Sequence, residues 1–163
     1  MKKVIIIGCP GSGKSTFGRK LKCITGLPLF HLDMMYWNED KTTVSKEIFA
    51  ERLCTAMSNS EWIIDGNYSS TMEKRIKECD TVFFLDYPTE VCIEGIEERK
   101  GKPRSDMPWV ETDSVDEEFI SFVKKYNSQS RPQVKSLLKK YSSKNIIVFH
   151  SRAESEKYLS TLK

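Results

Sequence analysis

Near the amino end, eight residues, Gly8-Cys9-Pro10-Gly11-Ser12-Gly13-Lys14-Ser15, leave little freedom in how the chain around them folds. They follow a β-branched run, Val4 to Ile7, and open a segment of helical period, which is the context the pattern G-x-x-x-x-G-K-[ST] requires. Three glycines let the main chain turn tightly without side-chain obstruction, so that successive N–H groups converge at the positive end of a helix. Such a loop takes phosphate. Gly8, Pro10, Gly11, Ser12, Gly13, Lys14, Ser15 and Thr16 are therefore expected to cradle a nucleoside triphosphate. Lys14 would reach its β- and γ-phosphates, Ser15 would join the shell of a bound Mg2+, and Thr16 would meet the α-phosphate. ATP and Mg2+ are the expected cofactors.

Apolar runs closed by turn signals recur at 3–7, 28–32, 61–65, 81–86 and 145–149, which predicts five strands. Their near-continuous apolar character points to a parallel sheet covered on both faces. Helices are predicted over 14–25, 44–58 and about 88–100. Spacings of capping-box type at Ser70–Glu73, Ser114–Glu117 and Ser151–Glu154 predict three more helix starts. Pro132 breaks the last long helical region, predicting two helices, 115–128 and 131–141, or one sharply bent helix. Only 101–114, rich in Pro, Gly and charge, resembles a long loop, and a segment of that kind inside a compact domain reads as a lid.

With 163 residues the chain is one domain, 1–163, large enough for a core without staples. Twenty-six Lys and Arg against 23 Asp and Glu give a net charge of +3, which does not support a dedicated nucleic-acid surface. Five scattered cysteines without a C-x-x-C pair argue against structural zinc and for buried or half-buried thiols in a reducing compartment. The short apolar run before Gly8 is neither a signal peptide nor a membrane span. A cytoplasmic protein, monomeric or weakly dimeric, is expected.

Two aspartates end strands beside the phosphate loop. Asp65, followed by Gly66, is the preferred magnesium carboxylate, and Asp86, in Asp86-Tyr87-Pro88, reads as a cap or turn residue. His31 is expected to hydrogen-bond near the sheet and Trp62 to lie in the core. Trp37 and Trp109 are candidate acceptor-site or lid aromatics.

The phosphate loop, the DGNY after the third strand and the run Ile96 to Arg104 resemble adenylate kinase and related nucleoside monophosphate kinases over nearly the whole chain. HLDMMYW, WIIDGNY and RSDMP are similar in particular to the bacterial group called topology modulation proteins. The resemblance implies a P-loop NTPase three-layer α/β sandwich of the nucleoside monophosphate kinase kind, with a short lid. It also implies roles for Arg99 at the lid entry, against base and phosphates, for Arg104 and Asp106 in the lid, and for Arg131 on the helix that follows. Guanidinium groups suit phosphoryl transfer because charge spreads over the equatorial oxygens.

On the acceptor side the chain departs from adenylate kinase. It lacks a Gly-Asp-x-Leu-Arg run, and Ser69 stands where an arginine is expected, which weighs against AMP. Asp33, at the carboxyl end of the second strand, is placed as in kinases of small hydroxylated metabolites and would hold an acceptor hydroxyl and take its proton. Asn67 and Arg75 would help bind the acceptor. The sequence thus predicts an ATP-dependent phosphotransferase acting on a small molecule, with Lys14, Asp33, Arg99, Arg104 and Arg131 as its catalytic residues. The alternative is a nucleotide-binding regulator associated with DNA topology that transfers nothing.

Overall fold

The computed structural model describes residues 1–109 and 116–162. Its elements are β1 (Lys3–Gly8), α1 (Lys14–Thr25), β2 (Leu29–His31), α2 (Leu32–Tyr36), α3 (Lys46–Met57), β3 (Trp62–Asp65), α4 (Ser69–Glu78), β4 (Thr81–Leu85), α5 (Thr89–Glu97), α6 (Glu117–Lys140), β5 (Asn145–Phe149) and α7 (Arg152–Thr161). The five strands form one all-parallel sheet in the order β2-β3-β1-β4-β5. From β1 the chain passes to one side of the sheet, then crosses β1 to build the other. A crevice is therefore expected beyond the carboxyl end of β1, where the loop at Gly8 begins.

Alternation along the strands sorts the core into two layers. Val4, Ile6, Phe83 and Leu85 pack with Phe17, Leu21, Cys92, Ile96 and Leu159 on one face. Ile5, Ile7, Val82 and Phe84 pack with Phe49, Leu53, Met72 and Ile76 on the other. Helix α6 serves both, giving Val123 and Tyr126 to the first layer and Val134 and Leu138 to the second. Trp62 is fully buried, as predicted.

Several local expectations are corrected. Helix α6 is continuous through Pro132, whose missing N–H does not interrupt it because both halves of the helix are anchored in the core. Its N-cap is Asp116, which accepts from the Glu118 N–H at 2.9 Å, while Ser114 lies outside the described residues, as does 110–113 of the lid. The capping box at Ser70 does not form. Helix α4 starts at Ser69 after Tyr68, whose φ is 36°, and Glu73 instead accepts from Lys140 and Tyr141, each at 2.7 Å. At Ser151 the prediction holds, with the hydroxyl accepting from the Glu154 N–H and the Glu154 carboxylate from the His150 N–H. Cys23 and Cys54 are exposed, unlike the other three thiols.

Candidate active site

Helix α1 begins at the phosphate loop without a side-chain cap. Its N-cap, Gly13, has φ 88°, and no side-chain oxygen satisfies the first N–H groups. Those amides are available to an anion. Beneath them, Gly11 has φ 84°, and a Cβ there would stand 2.0 Å from the Cys92 carbonyl oxygen. Only glycine lets α5 lie this close. Ser12 is buried, and its Oγ lacks a partner among the described residues, a polar atom set into the loop.

The Lys14 ammonium folds back over the loop and donates to the carbonyls of Gly8 at 2.9 Å and Cys9 at 3.0 Å. Two of its three donors are so used. Burial lowers its pKa, and Asp65 and Asp33 pull it back up. Cys9 is buried in the same loop, and the neighbouring Cys92 thiol together with burial raises its thiol pKa, so it is not a ready thiolate.

Asp65 ends β3 almost fully buried. Its Oδ1 is 2.8 Å from His31 Nδ1, and its Oδ2 has no partner among the described residues. An orphaned carboxylate oxygen beside the phosphate loop fits a cation or its water, and phosphate-bound Mg2+ needs only one or two protein ligands. This suits Asp65 with Ser15. Among the described residues no three His, Cys, Asp or Glu gather into an all-protein metal cage. The other candidate, Asp86, is occupied by Arg131, whose Nε and Nη2 donate to its two oxygens at 2.6 and 2.8 Å. That pair also places Arg131 away from the cleft lining, contrary to its expected catalytic role, because a bidentate partner at the end of β4 holds it there.

Opposite the loop, Asp33 lies in the first turn of α2 and accepts from the Tyr68 hydroxyl at 2.7 Å through Oδ1. Among the described residues its Oδ2 has no hydrogen-bond partner. Burial raises its pKa, and the Tyr68 bond, Lys14 and Arg104 oppose this only in part. A carboxylate tuned upward in a cleft is the usual state of a general base.

Asn67 lies in the cleft as expected, and Arg75 lies beneath it. Asn67 lines the cleft but clamps Gly8 at both ends of its amide, accepting from the Gly8 N–H at 3.1 Å and donating to the Gly8 carbonyl at 2.7 Å. Arg75 is wholly buried and donates to the carbonyls of Gly66 at 2.9 Å, Asn67 and Tyr68. It braces 66–68 from below and does not reach an acceptor. The two residues make one chain of bonds, from α4 through the DGNY turn to the phosphate loop.

The described part of the lid segment, 101–109, meets α1 at Arg19. Asp106, buried, pairs with Arg104 at 2.6 Å and stands 3.8 Å from Arg19. Burial works to raise its pKa, but the Arg104 bond and charge, with Ser15, hold it well below the usual carboxylate range. Arg99 lies at the lid entry with its guanidinium over the Phe119 ring, 5.9 Å from the centroid. Lid and acceptor side meet where the Trp37 and Trp109 rings cross at 90°, with centroids 5.4 Å apart.

Apart from Gly8, Cys9, His31, Arg75, Cys92 and the Asp86–Arg131 pair, these residues line one cleft of about 1560 Å³. A single small ligand fills about 300–1,000 Å³, so two can lie here end to end. Arg19, Arg152 and Phe119 are among the lining residues that escaped the sequence reading. Arg19 is one helical turn beyond Ser15 and could have been found by that spacing. Arg152 opens α7 just past β5, a position the parallel-sheet rule places at the crevice. Phe119 follows the lid and carries no signal of its own.

A sheet of this order, with this loop at the end of its central strand and a short lid above it, is the P-loop NTPase fold of the shikimate kinase and nucleoside monophosphate kinase type. The backbone is similar to shikimate kinase from Bacteroides thetaiotaomicron, with a TM-score of 0.63 at 17% identity over 98% of this chain and 94% of that one. It is also similar to shikimate kinase from Acinetobacter baumannii in complex with shikimate, with a TM-score of 0.65 at 15% identity over 99% and 93%. In sequence it is 28% identical over 94 residues to adenylate kinase from Thermotoga maritima, covering 56% of this chain and 42% of that protein. It is 30% identical over 99 residues to shikimate kinase from Rhodococcus jostii, covering 52% and 58%. The chain thus spans about half the length of the curated relatives it matches. No family model matches the sequence.

Proposed function

We propose that the protein is an ATP-dependent phosphotransferase that passes the γ-phosphoryl group of ATP to a hydroxyl of a small acceptor held at Asp33. One observation carries the reading. An uncapped helix N-terminus bearing Lys14 and a half-buried, upward-tuned carboxylate face each other across one cleft large enough for both substrates. The relatives named adenylate kinase and shikimate kinase support the same class of reaction. The motif likeness to the bacterial topology modulation group is the ground for the alternative, a nucleotide-binding regulator that transfers nothing.

The loop amides and Lys14 hold the phosphates. Asp33 orients the acceptor hydroxyl and receives its proton as the new P–O bond forms, while ADP leaves with the bridging oxygen. Arg19, Arg99 and Arg104 place positive charge around the transferring group, and the lid excludes water from it. Ser15 and Asp65 would hold Mg2+, which when bound neutralises charge on the β- and γ-phosphates. No bond in this scheme needs Arg131 or Arg75.

Incubation with γ-labelled ATP, Mg2+ and a panel of nucleosides, nucleotides and hydroxylated metabolites should yield a labelled product. It should be lost in Lys14→Ala and reduced about 10²- to 10⁴-fold in Asp33→Ala. Release of inorganic phosphate alone, equal in the presence and absence of every acceptor, would contradict the proposal and favour a nucleotide-driven regulator.

A further inference from the structure

Four aromatic rings border the cleft around Asp33. Tyr36 and Trp37 come from α2 and the residue after it, Tyr68 from the DGNY turn, and Trp109 from the lid. All four are half-buried and all line the cleft. They form one connected wall. Tyr36 meets Trp37 at 5.3 Å and Tyr68 at 5.0 Å between centroids, and Trp37 meets Trp109 at 5.4 Å. The Tyr68 hydroxyl ties that wall to the carboxylate at 2.7 Å.

Cations are arranged the opposite way. Of the arginines on the elements around Asp33, Arg52 donates to the Met35 carbonyl at 2.9 Å and Arg75 is spent on the carbonyls of 66–68. Among the described residues from 29 to 78, Lys41 is the only cation that lines the cleft, and it sits in the 38–42 turn. The undescribed residues 110–115 contain no Lys or Arg. Arg104, whose charge also reaches Asp33, is engaged by both oxygens of Asp106, and Arg19 stands against the same carboxylate. Recognition of a phosphate or carboxylate calls for guanidinium forks, and among the described residues no arginine on the elements from 29 to 78 lines the cleft.

Resting on the phosphotransferase reading, we infer that the acceptor is an alcohol built on a flat ring that carries no anionic group, the chemistry shared by nucleosides and hydroxymethyl heteroaromatics. The ring lies against Tyr36, Trp37, Tyr68 and Trp109, and its hydroxyl meets Asp33. Aromatic faces bind such rings with little demand on their substituents.

Calorimetry on the protein saturated with Mg2+ and a non-hydrolysable ATP analogue tests this apart from catalysis. The probes are adenosine, guanosine, cytidine, uridine and pyridoxine, each 5′-monophosphate of the nucleosides, and a non-aromatic hydroxy acid. At least one ring alcohol should bind one-to-one and at least about tenfold tighter than its monophosphate. Trp37→Leu and Tyr36→Leu should each weaken it about tenfold or more while keeping affinity for the ATP analogue. Tighter binding of a monophosphate or the hydroxy acid, binding of no ring alcohol, or affinity indifferent to both substitutions would overturn the inference. The same compounds with γ-labelled ATP separate the two failures. A ring alcohol that binds in this way but is never labelled sinks the transferase and leaves the ring site, and a labelled anion does the reverse.

Discussion

At Asp33 burial and hydrogen bonding act in opposite directions, and burial wins. The charged and titratable groups that face it are Tyr68, Lys14, Asp65 and Arg104. With its folded pKa above the ordinary value near 3.9, the native state holds a proton that the unfolded chain has already lost. Stability from this residue therefore falls as pH rises from about 4 through the folded pKa, and the ionised carboxylate is a cost at neutral pH. Asp33→Asn keeps an oxygen for the Tyr68 hydroxyl and removes that charge. Its thermal midpoint should exceed that of the unsubstituted protein at pH 7–8 and converge with it below about pH 4, while transfer falls about 10²- to 10⁴-fold. A midpoint lowered at every pH would show that the ionised carboxylate stabilises the fold. Lys14, Ser15 and Asp33 were legible because a motif or a strand end fixes their surroundings. Arg75, Asn67 and Arg131 were not, since whether an arginine or an amide reaches a ligand or a carbonyl depends on contacts distant in sequence.

Between elements, the closest approach is that of α5 to the phosphate loop. A Cβ at Gly95 would stand 2.2 Å from the Gly11 carbonyl oxygen, and one at Gly11 would stand 2.0 Å from that of Cys92. The contact fixes the loop from beneath, so the conformation that offers its amides is set partly by α5. Gly95→Ala improves helix propensity by about 1 kcal/mol but forces the loop and helix apart at about 1–3 kcal/mol. We expect the midpoint to drop by a few degrees and affinity for Mg-ATP to fall about tenfold, read by scanning calorimetry and titration. An unchanged ATP affinity would show the loop to be set without α5. Gly95 has no marker in the sequence, where it sits as an ordinary mid-helix glycine. The capping signals divide in the same way. Ser151–Glu154 forms because the chain enters α7 extended, whereas Ser70–Glu73 yields to a turn that Arg75 holds from below.

For the whole molecule, five parallel strands and helices on both faces follow from apolar runs alternating with helical periods, and this architecture was readable from end to end. What the pattern did not contain is that α6 spans both layers, because its two apolar stretches read as two helices, 115–128 and 131–141, or as one sharply bent helix. The sheet order brings the phosphate loop, Asp33 and the lid to one crevice. On the proposed reading, binding of a triphosphate at the loop is the event on which acceptor, lid and metal depend. Titration calorimetry of Mg-ATP into the protein and into Lys14→Ala measures that event directly. A single saturable site, weakened about 100-fold by the substitution, is the predicted result, given about 1.5–3 kcal/mol for a charged hydrogen bond. No saturable heat, or an affinity that ignores Lys14, would contradict it.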